Sequence, residues 1–129
     1  MDGEAVARAR ALIGTRFRLH GRDASGLDCV GLAAAAVGLD EVPTGYSLRG
    51  GTAAGVERAL SAAGLVRVDR PRAGDLQLVE AGPAQLHLTI RTAEGFIHAD
   101  AGLRRVTEVP GPPAGRVCSS WRRAPIDGG

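Results

Sequence analysis

The sequence contains no lysine and very few aromatic residues. All 16 basic residues are arginine, and with 14 acidic residues they give a net charge of +2. One Trp, one Tyr and two Phe offer little surface on which nucleic-acid bases can stack, and the arginines are spread along the chain. These absences argue against nucleic acid as a partner.

Long apolar segments are also missing. No run approaches the roughly 20 apolar residues that span a bilayer, and the acidic start, MDGE, differs from the charged-then-apolar layout of a signal peptide. We therefore expect no membrane partner, and we expect synthesis in the cytoplasm without export through this N-terminus. With 129 residues and 44% hydrophobic composition, residues 1–129 are expected to form one globular domain.

Local patterns predict helices in the first half of the chain and strands in the second. Apolar spacing, capping residues and glycine stops predict three helices, at residues 3–13, 29–37 and 53–63. Short alternating runs separated by Gly, Pro or Asp predict strands at residues 65–68, 75–79, 86–91, 95–98, 102–109 and 116–121. This order predicts an α+β fold, with an antiparallel sheet covered by helices on one side.

Three segments are expected to lack regular structure. Residues 15–26 and 39–51 are rich in turn-forming residues and are predicted to be irregular loops. The second loop is long enough to line a cleft and influence specificity. The polar tail from Arg122 onward is expected to fray.

Cys29 is the candidate nucleophile, because it is predicted to lie in the first turn of a helix capped by Asp28. A helix N-terminus stabilises a thiolate through its N–H groups and its dipole. The alternative is an inert cysteine buried beside a run of alanines.

A disulfide between Cys29 and Cys118 is not favoured, since nothing indicates a secretory context. Cys118 itself is predicted to be a buried thiol in the last strand.

His87 and His98 are the candidate base and its orienting partner. They lie in two predicted strands joined by a turn at residues 91–95. If Ile90 pairs with Gly95, His87 falls directly opposite His98, and their Cβ atoms lie about 5 Å apart. One imidazole can then orient the other toward a thiol, as a cysteine nucleophile requires.

Two other interpretations of the histidines remain open. Each can be a structural histidine on the sheet surface, or the pair can bind zinc with Asp100 or Cys29. Asp100 lies two residues from His98 and therefore on the same strand face. No HxxxH or CxxC ligand pair supports zinc, and no dinucleotide or phosphate-binding motif is present. We therefore expect no cofactor and no metal.

Together these motifs resemble those of the NlpC/P60 superfamily of cysteine peptidases. Four segments carry the resemblance: GLDCVGL at 26–32, RAGDL at 72–76, HLTI at 87–90 and IHA at 97–99. They are similar to the family's nucleophile motif, the segment that opens its first catalytic strand, and its two histidine strands. The resemblance extends from about Ala5 to Val109.

The resemblance implies a papain-like core, with Cys29 as nucleophile, His87 as base and His98 as orienting residue. The implied activity is hydrolysis of amide bonds in the stem peptides of peptidoglycan. The compact form is most similar to members of phage tails or gene transfer agents, in which tail proteins would be partners and the particle would deliver the enzyme to the cell wall. The alternatives are a non-catalytic structural tail component and an acyltransferase that uses the same thiol.

The oxyanion region departs from the family pattern. Phe17 stands where family members often carry a tyrosine, so this side chain has no hydroxyl to donate. His20 and Asp28 are the other residues expected near the oxyanion or the substrate, although a polar loop residue without a role is the preferred interpretation of His20. Val30 replaces the serine that commonly follows the cysteine. These departures bear on substrate preference.

Overall fold

The computed structural model describes residues 2–18, 22–23, 26–39, 52–82 and 85–123. Within these residues the helices are α1 (Asp2–Ala11), α2 (Cys29–Val37) and α3 (Ala53–Ala62). The strands are β1 (Arg22–Asp23), β2 (Gly26–Leu27), β3 (Leu65–Val68), β4 (Leu76–Gly82), β5 (Gln85–Arg91), β6 (Gly95–Asp100), β7 (Arg105–Pro110) and β8 (Arg116–Arg123). None of the helices in this part of the chain is long and apolar enough to cross a membrane. His20 and all but the first residue of the predicted 39–51 loop lie outside the described residues.

Six of these strands form one antiparallel sheet in the order β3-β8-β4-β5-β6-β7. Helix α2 packs against β5 and β6, α1 packs against α2, and α3 contacts β3. The predicted α+β fold, an antiparallel sheet with helices packed on it, is confirmed.

The core lies between α2 and the sheet. Leu32 of α2 is completely buried, as are Leu78, Ile90 and Ile97 on three of the strands. Full burial of each such side chain stabilises the fold by about 1.5–3 kcal/mol. Because the other residues of α2 are mostly small, as its sequence CVGLAAAAV shows, the helix can approach the sheet closely and position its first turn accurately.

Both ends of α2 are fixed as the sequence predicts. The Asp28 Oδ1 atom accepts a hydrogen bond from the Gly31 N–H at 2.9 Å. At the other end Gly38 adopts a left-handed conformation, with φ of 74°, which glycine tolerates without a steric penalty. Thr52 caps α3 in the same way as Asp28, because its Oγ1 atom accepts from the Gly55 N–H at 3.1 Å. Cys29 is therefore the first residue of a well-capped helix.

The predicted register of β5 and β6 is wrong by two residues. Ile90 pairs with Ile97, not with Gly95. The physical reason is a tighter turn, closed by Thr92: its backbone N–H donates to the Gly95 carbonyl and its Oγ1 accepts from the Gly95 N–H, both at 2.9 Å. A shift of one residue would turn the side chains to the other face, whereas a shift of two preserves the face.

The predicted loop at residues 15–26 is more regular than expected. It contains β1 and the first residue of β2, and these two strands pair with each other; Phe17 forms a parallel bridge with Leu27. The Phe17 N–H also donates to the Arg104 carbonyl at 2.9 Å. These contacts tie the segment before Cys29 to the β6–β7 connection.

The first two residues of the tail that is expected to fray, Arg122 and Arg123, instead belong to β8, and residues 124–129 lie outside the described residues. The Arg122 guanidinium donates to both carboxylate oxygens of Asp75, at 2.9 and 2.7 Å. Asp75 also accepts from the Arg72 N–H at 2.8 Å, which is the turn role that its position predicts. This two-point contact anchors the end of β8 to the start of β4.

Cys118, predicted to be buried, is half-buried, because the register of β8 against β4 shifts at this point of the strand.

Candidate active site

Strands β5 and β6 part where they carry the two histidines. The backbone pairing between β5 and β6 ends at Ile90 and Ile97. Both strands continue beyond this pair, β5 back to Gln85 and β6 on to Asp100, without pairing to each other. In the same stretch β5 stays paired with β4. Because side chains alternate between faces, His87 and His98 both project from the face opposite to Ile90 and Ile97.

The two imidazoles are in direct contact. His87 Nε2 lies 2.9 Å from His98 Nδ1, and the rings meet edge-on with their centroids 5.1 Å apart. Extending the ladder would place His87 opposite Asp100, so the histidines are diagonal rather than directly opposed neighbours. Phe96 packs edge-on against His98 at 5.0 Å between ring centroids and helps to fix its orientation.

Asp100 lies behind His98. Its Oδ2 atom is 3.6 Å from His98 Nε2, and its Oδ1 atom accepts from the N–H groups of Gly102 and Leu103 at 2.8 and 3.1 Å. The sequence suggests Asp100 only as a possible metal ligand. Its spacing of two residues from His98 indicates a shared strand face, but not this contact with the His98 ring. Over the described ranges no group of three or more His, Cys, Asp or Glu side chains is arranged to hold a metal ion.

Most of the predicted site residues line one cleft. Its volume is 590 Å³, and its lining includes five of the six predicted residues: Phe17, Asp28, Cys29, His87 and His98. Cys29 reaches the cleft from the first turn of α2 and is 7% exposed. Its neighbour Asp28 is engaged at the helix cap. Much of the remaining lining is apolar, including Val79, Leu86 and Pro113. The fold thus brings a thiol from the helical half of the chain to two imidazoles from the sheet.

Burial lowers the pKa of both histidines. Desolvation, assisted by the nearby His98, lowers the pKa of His87 to about 4, and Asp100 opposes this shift. Burial also lowers the pKa of His98, again against the attraction of Asp100. At neutral pH both rings are therefore uncharged, and each carries one N–H donor and one acceptor nitrogen. Such a ring can accept the proton of a thiol.

Comparison with known proteins gives matches at the level of structure. No family model and no curated protein matches the chain. Among solved structures, it is similar to the NlpC/P60 domain of the peptidoglycan hydrolase SagA, with 26% identity, a TM-score of 0.59, and coverage of 85% of this chain and 89% of that one.

Two longer proteins give similar results. For the peptidoglycan hydrolase RipB from Mycobacterium tuberculosis the identity is 23% and the TM-score 0.62, and for NlpC1 from Trichomonas vaginalis they are 21% and 0.68. The matches cover 97% and 95% of this chain but only 65% of RipB and 44% of NlpC1. The three likenesses show that the chain has the papain-like fold of NlpC/P60 domains, and the likeness to the SagA domain supports its placement in that superfamily.

Proposed function

We propose that this protein is a cysteine peptidase that hydrolyses amide bonds in the stem peptides of peptidoglycan. The observation that carries the proposal is a single cleft lined both by Cys29, at the start of α2, and by the hydrogen-bonded pair of His87 and His98. The substrate class is supported by the resemblance in sequence and by the likeness to SagA and RipB, which are peptidoglycan hydrolases.

In the proposed mechanism the Cys29 sulfur attacks the amide carbonyl while His87 accepts the thiol proton. The tetrahedral intermediate collapses, the C–N bond breaks, and His87 returns the proton to the departing amine. Water then attacks the thioester, with His87 as base, and releases a carboxylic acid and the free thiol. His98 keeps the His87 ring oriented through the 2.9 Å contact.

Negative charge develops on the carbonyl oxygen during both attacks. The attacking residue, Cys29, lies in the first turn of α2. The positive end of a helix dipole stabilises a negative charge that develops beside it. Phe17 contributes an apolar ring to the cleft in place of the hydroxyl that the family often supplies. The proposed oxyanion site therefore depends on backbone N–H groups at the start of α2.

The sequence resemblance also favours a setting within a phage tail or a gene transfer agent. Particles purified from a producing culture should then contain the protein, and washed particles should carry its activity against isolated cell walls. Detection of the protein only in the soluble fraction would contradict this part of the proposal.

Digestion of purified peptidoglycan, followed by mass spectrometry of the released peptides, tests the activity. We expect a matched pair of new amine and carboxylate ends, which Cys29→Ala and His87→Ala abolish and Cys118→Ala does not. A folded protein that yields no product, and whose Cys29→Ala variant binds tail proteins equally well, would be a structural component instead. Products joined to an added amine, in preference to hydrolysis, would indicate an acyltransferase.

A further inference from the structure

We infer that Asp100 is a positioning residue that sets the tautomers of both histidines, so that His87 carries its lone pair at Nδ1. Asp100 has no place in the mechanism above. The catalytic consequence rests on the proposed function, whereas the positions of the ring protons do not depend on any substrate.

The hydrogen bond between the histidines can run in either direction. His87 Nε2 and His98 Nδ1 are 2.9 Å apart, and a neutral imidazole has one N–H and one acceptor nitrogen. If His87 donates, its Nδ1 is an acceptor and His98 carries its proton at Nε2. If His98 donates, both rings are protonated at Nδ1, and His87 cannot accept a thiol proton there.

Asp100 makes these two directions unequal in energy. Its Oδ2 atom lies 3.6 Å from His98 Nε2, which is buried and has no hydrogen-bond partner within the described part of the chain. An ionised carboxylate has only acceptor lone pairs, so it attracts an N–H at this position and repels a lone pair. Burial strengthens both effects, because the local dielectric constant is low. The proton of His98 therefore lies at Nε2, and His98 Nδ1 must accept from His87.

The carboxylate is held in place without help from the histidines. The N–H groups of Gly102 and Leu103 both bind Oδ1, in the turn that follows β6, and Oδ2 is the atom directed at His98. Among the described residues that line the cleft, the other carboxylate is Asp28, which accepts the Gly31 N–H at the start of α2. Asp100 is thus a fixed charge at the far end of a chain of groups that runs through His98 to His87.

Asp100→Asn is the substitution that separates charge from structure. The asparagine retains an oxygen for the two backbone N–H groups and presents its NH₂ group to His98 Nε2. A donor at that position favours a lone pair on Nε2, which reverses the hydrogen bond and moves the His87 proton to Nδ1. Glu94→Gln is the matched control, because it neutralises an exposed carboxylate in the turn between β5 and β6.

Long-range ¹H–¹⁵N spectra of the ¹⁵N-labelled full chain at neutral pH report which nitrogen of each ring is protonated, with His87→Gln and His98→Gln used for assignment. We expect Nε2–H on both rings in the wild type and in Glu94→Gln, and Nδ1–H on both in Asp100→Asn. A wild-type His87 protonated at Nδ1 would overturn the inference, and this result needs no variant to fold. Unchanged tautomers in a folded Asp100→Asn variant would also overturn it.

Kinetics then test the catalytic consequence. With a stem peptide that the wild type cleaves, Asp100→Asn should lower kcat by roughly 10²-fold, the contribution of a general base, and leave KM nearly unchanged. An equal kcat would contradict the role of Asp100 in catalysis. If the wild type cleaves no wall peptide and yet shows the expected tautomers, the proposed function fails while the inference about the ring protons stands.

Discussion

The carboxylate of Asp28 fastens the first turn of α2 by accepting the Gly31 N–H at 2.9 Å. Cys29 lies between these two residues, so the hydrogen bond fixes the backbone that carries the thiol. The same contact satisfies one of the N–H groups that a helix leaves without an intrahelical partner. The position of the proposed nucleophile therefore depends on a cap one residue away.

Removal of this cap should affect both stability and the thiol. We expect Asp28→Ala and Thr52→Ala each to lower the free energy of unfolding by about 1 kcal/mol, the usual contribution of an N-cap. Thr52 caps α3 and is absent from the cleft lining, so only Asp28→Ala should also slow the alkylation of Cys29. Urea unfolding and iodoacetamide labelling measure the two effects. Equal labelling rates in the two variants would show that the cap does not position the thiol.

The two cysteines should differ in reactivity. Cys29 lies at a helix N-terminus in the cleft with the histidines, whereas the Cys118 Sγ donates to the Arg116 carbonyl at 3.9 Å on β8. We expect alkylation of Cys29 to reach half its maximal rate below the pH of about 8.5 at which an ordinary thiol does so. His87→Ala should remove this advantage and leave Cys118 unaffected. Peptide mapping after labelling across a pH series provides the measurement, and identical profiles for the two cysteines would refute the nucleophile assignment.

Stability should fall as the pH is lowered from about 6.5 to about 4. In the folded chain the pKa of His87 is about 4, because burial disfavours the imidazolium, while an unfolded histidine titrates near 6.5. Between these values the unfolded chain binds more protons, so acid favours unfolding. The contribution of His98 has the same sign, since burial lowers its pKa as well. Thermal unfolding across this range should show a falling Tm in the wild type and a flatter profile in His87→Gln; parallel profiles would contradict the buried, neutral state of His87.

Two arginine–carboxylate pairs of similar geometry allow a comparison of buried and exposed contacts. Arg122 binds both oxygens of Asp75, whose side chain is 3% exposed, whereas Arg10 binds both oxygens of Glu108 with side chains 52% and 31% exposed. We expect Asp75→Asn to lower the free energy of unfolding by about 3 kcal/mol. Glu108→Gln should have a much smaller effect, because solvent screens the exposed pair. Guanidinium unfolding measures both, and equal losses would show that the Asp75 contact does not anchor β8.

The parts of the fold that could be predicted are those determined by a few neighbouring residues. Asp28, Gly38 and Thr52 are recognisable as caps from sequence alone, because each acts on a backbone group within four residues. The helices and the larger strands follow from such signals together with hydrophobic periodicity. The resemblance in motifs adds the arrangement of the strands, which no local pattern supplies.

The parts that could not be predicted depend on contacts distant in sequence or on one side-chain conformation. Residue counting gives the wrong β5–β6 register because the Thr92 hydroxyl closes a tighter turn than counting suggests. Arg122 is predicted to belong to a fraying tail because its partner, Asp75, lies 47 residues earlier in the chain, immediately before β4. The proximity of Asp100 to His98 depends on the turn after β6, and spacing indicates only that the two residues share a face.

The separation of the cleft residues along the chain has a consequence for control of the proposed activity. Cys29 comes from α2 and the imidazoles from β5 and β6, so the reactive groups meet only when the helical and sheet halves have assembled. Before that point the chain carries an ordinary thiol and ordinary imidazoles. If the proposed function is correct, peptidase activity therefore requires the folded domain, and an unfolded chain has no assembled catalytic site.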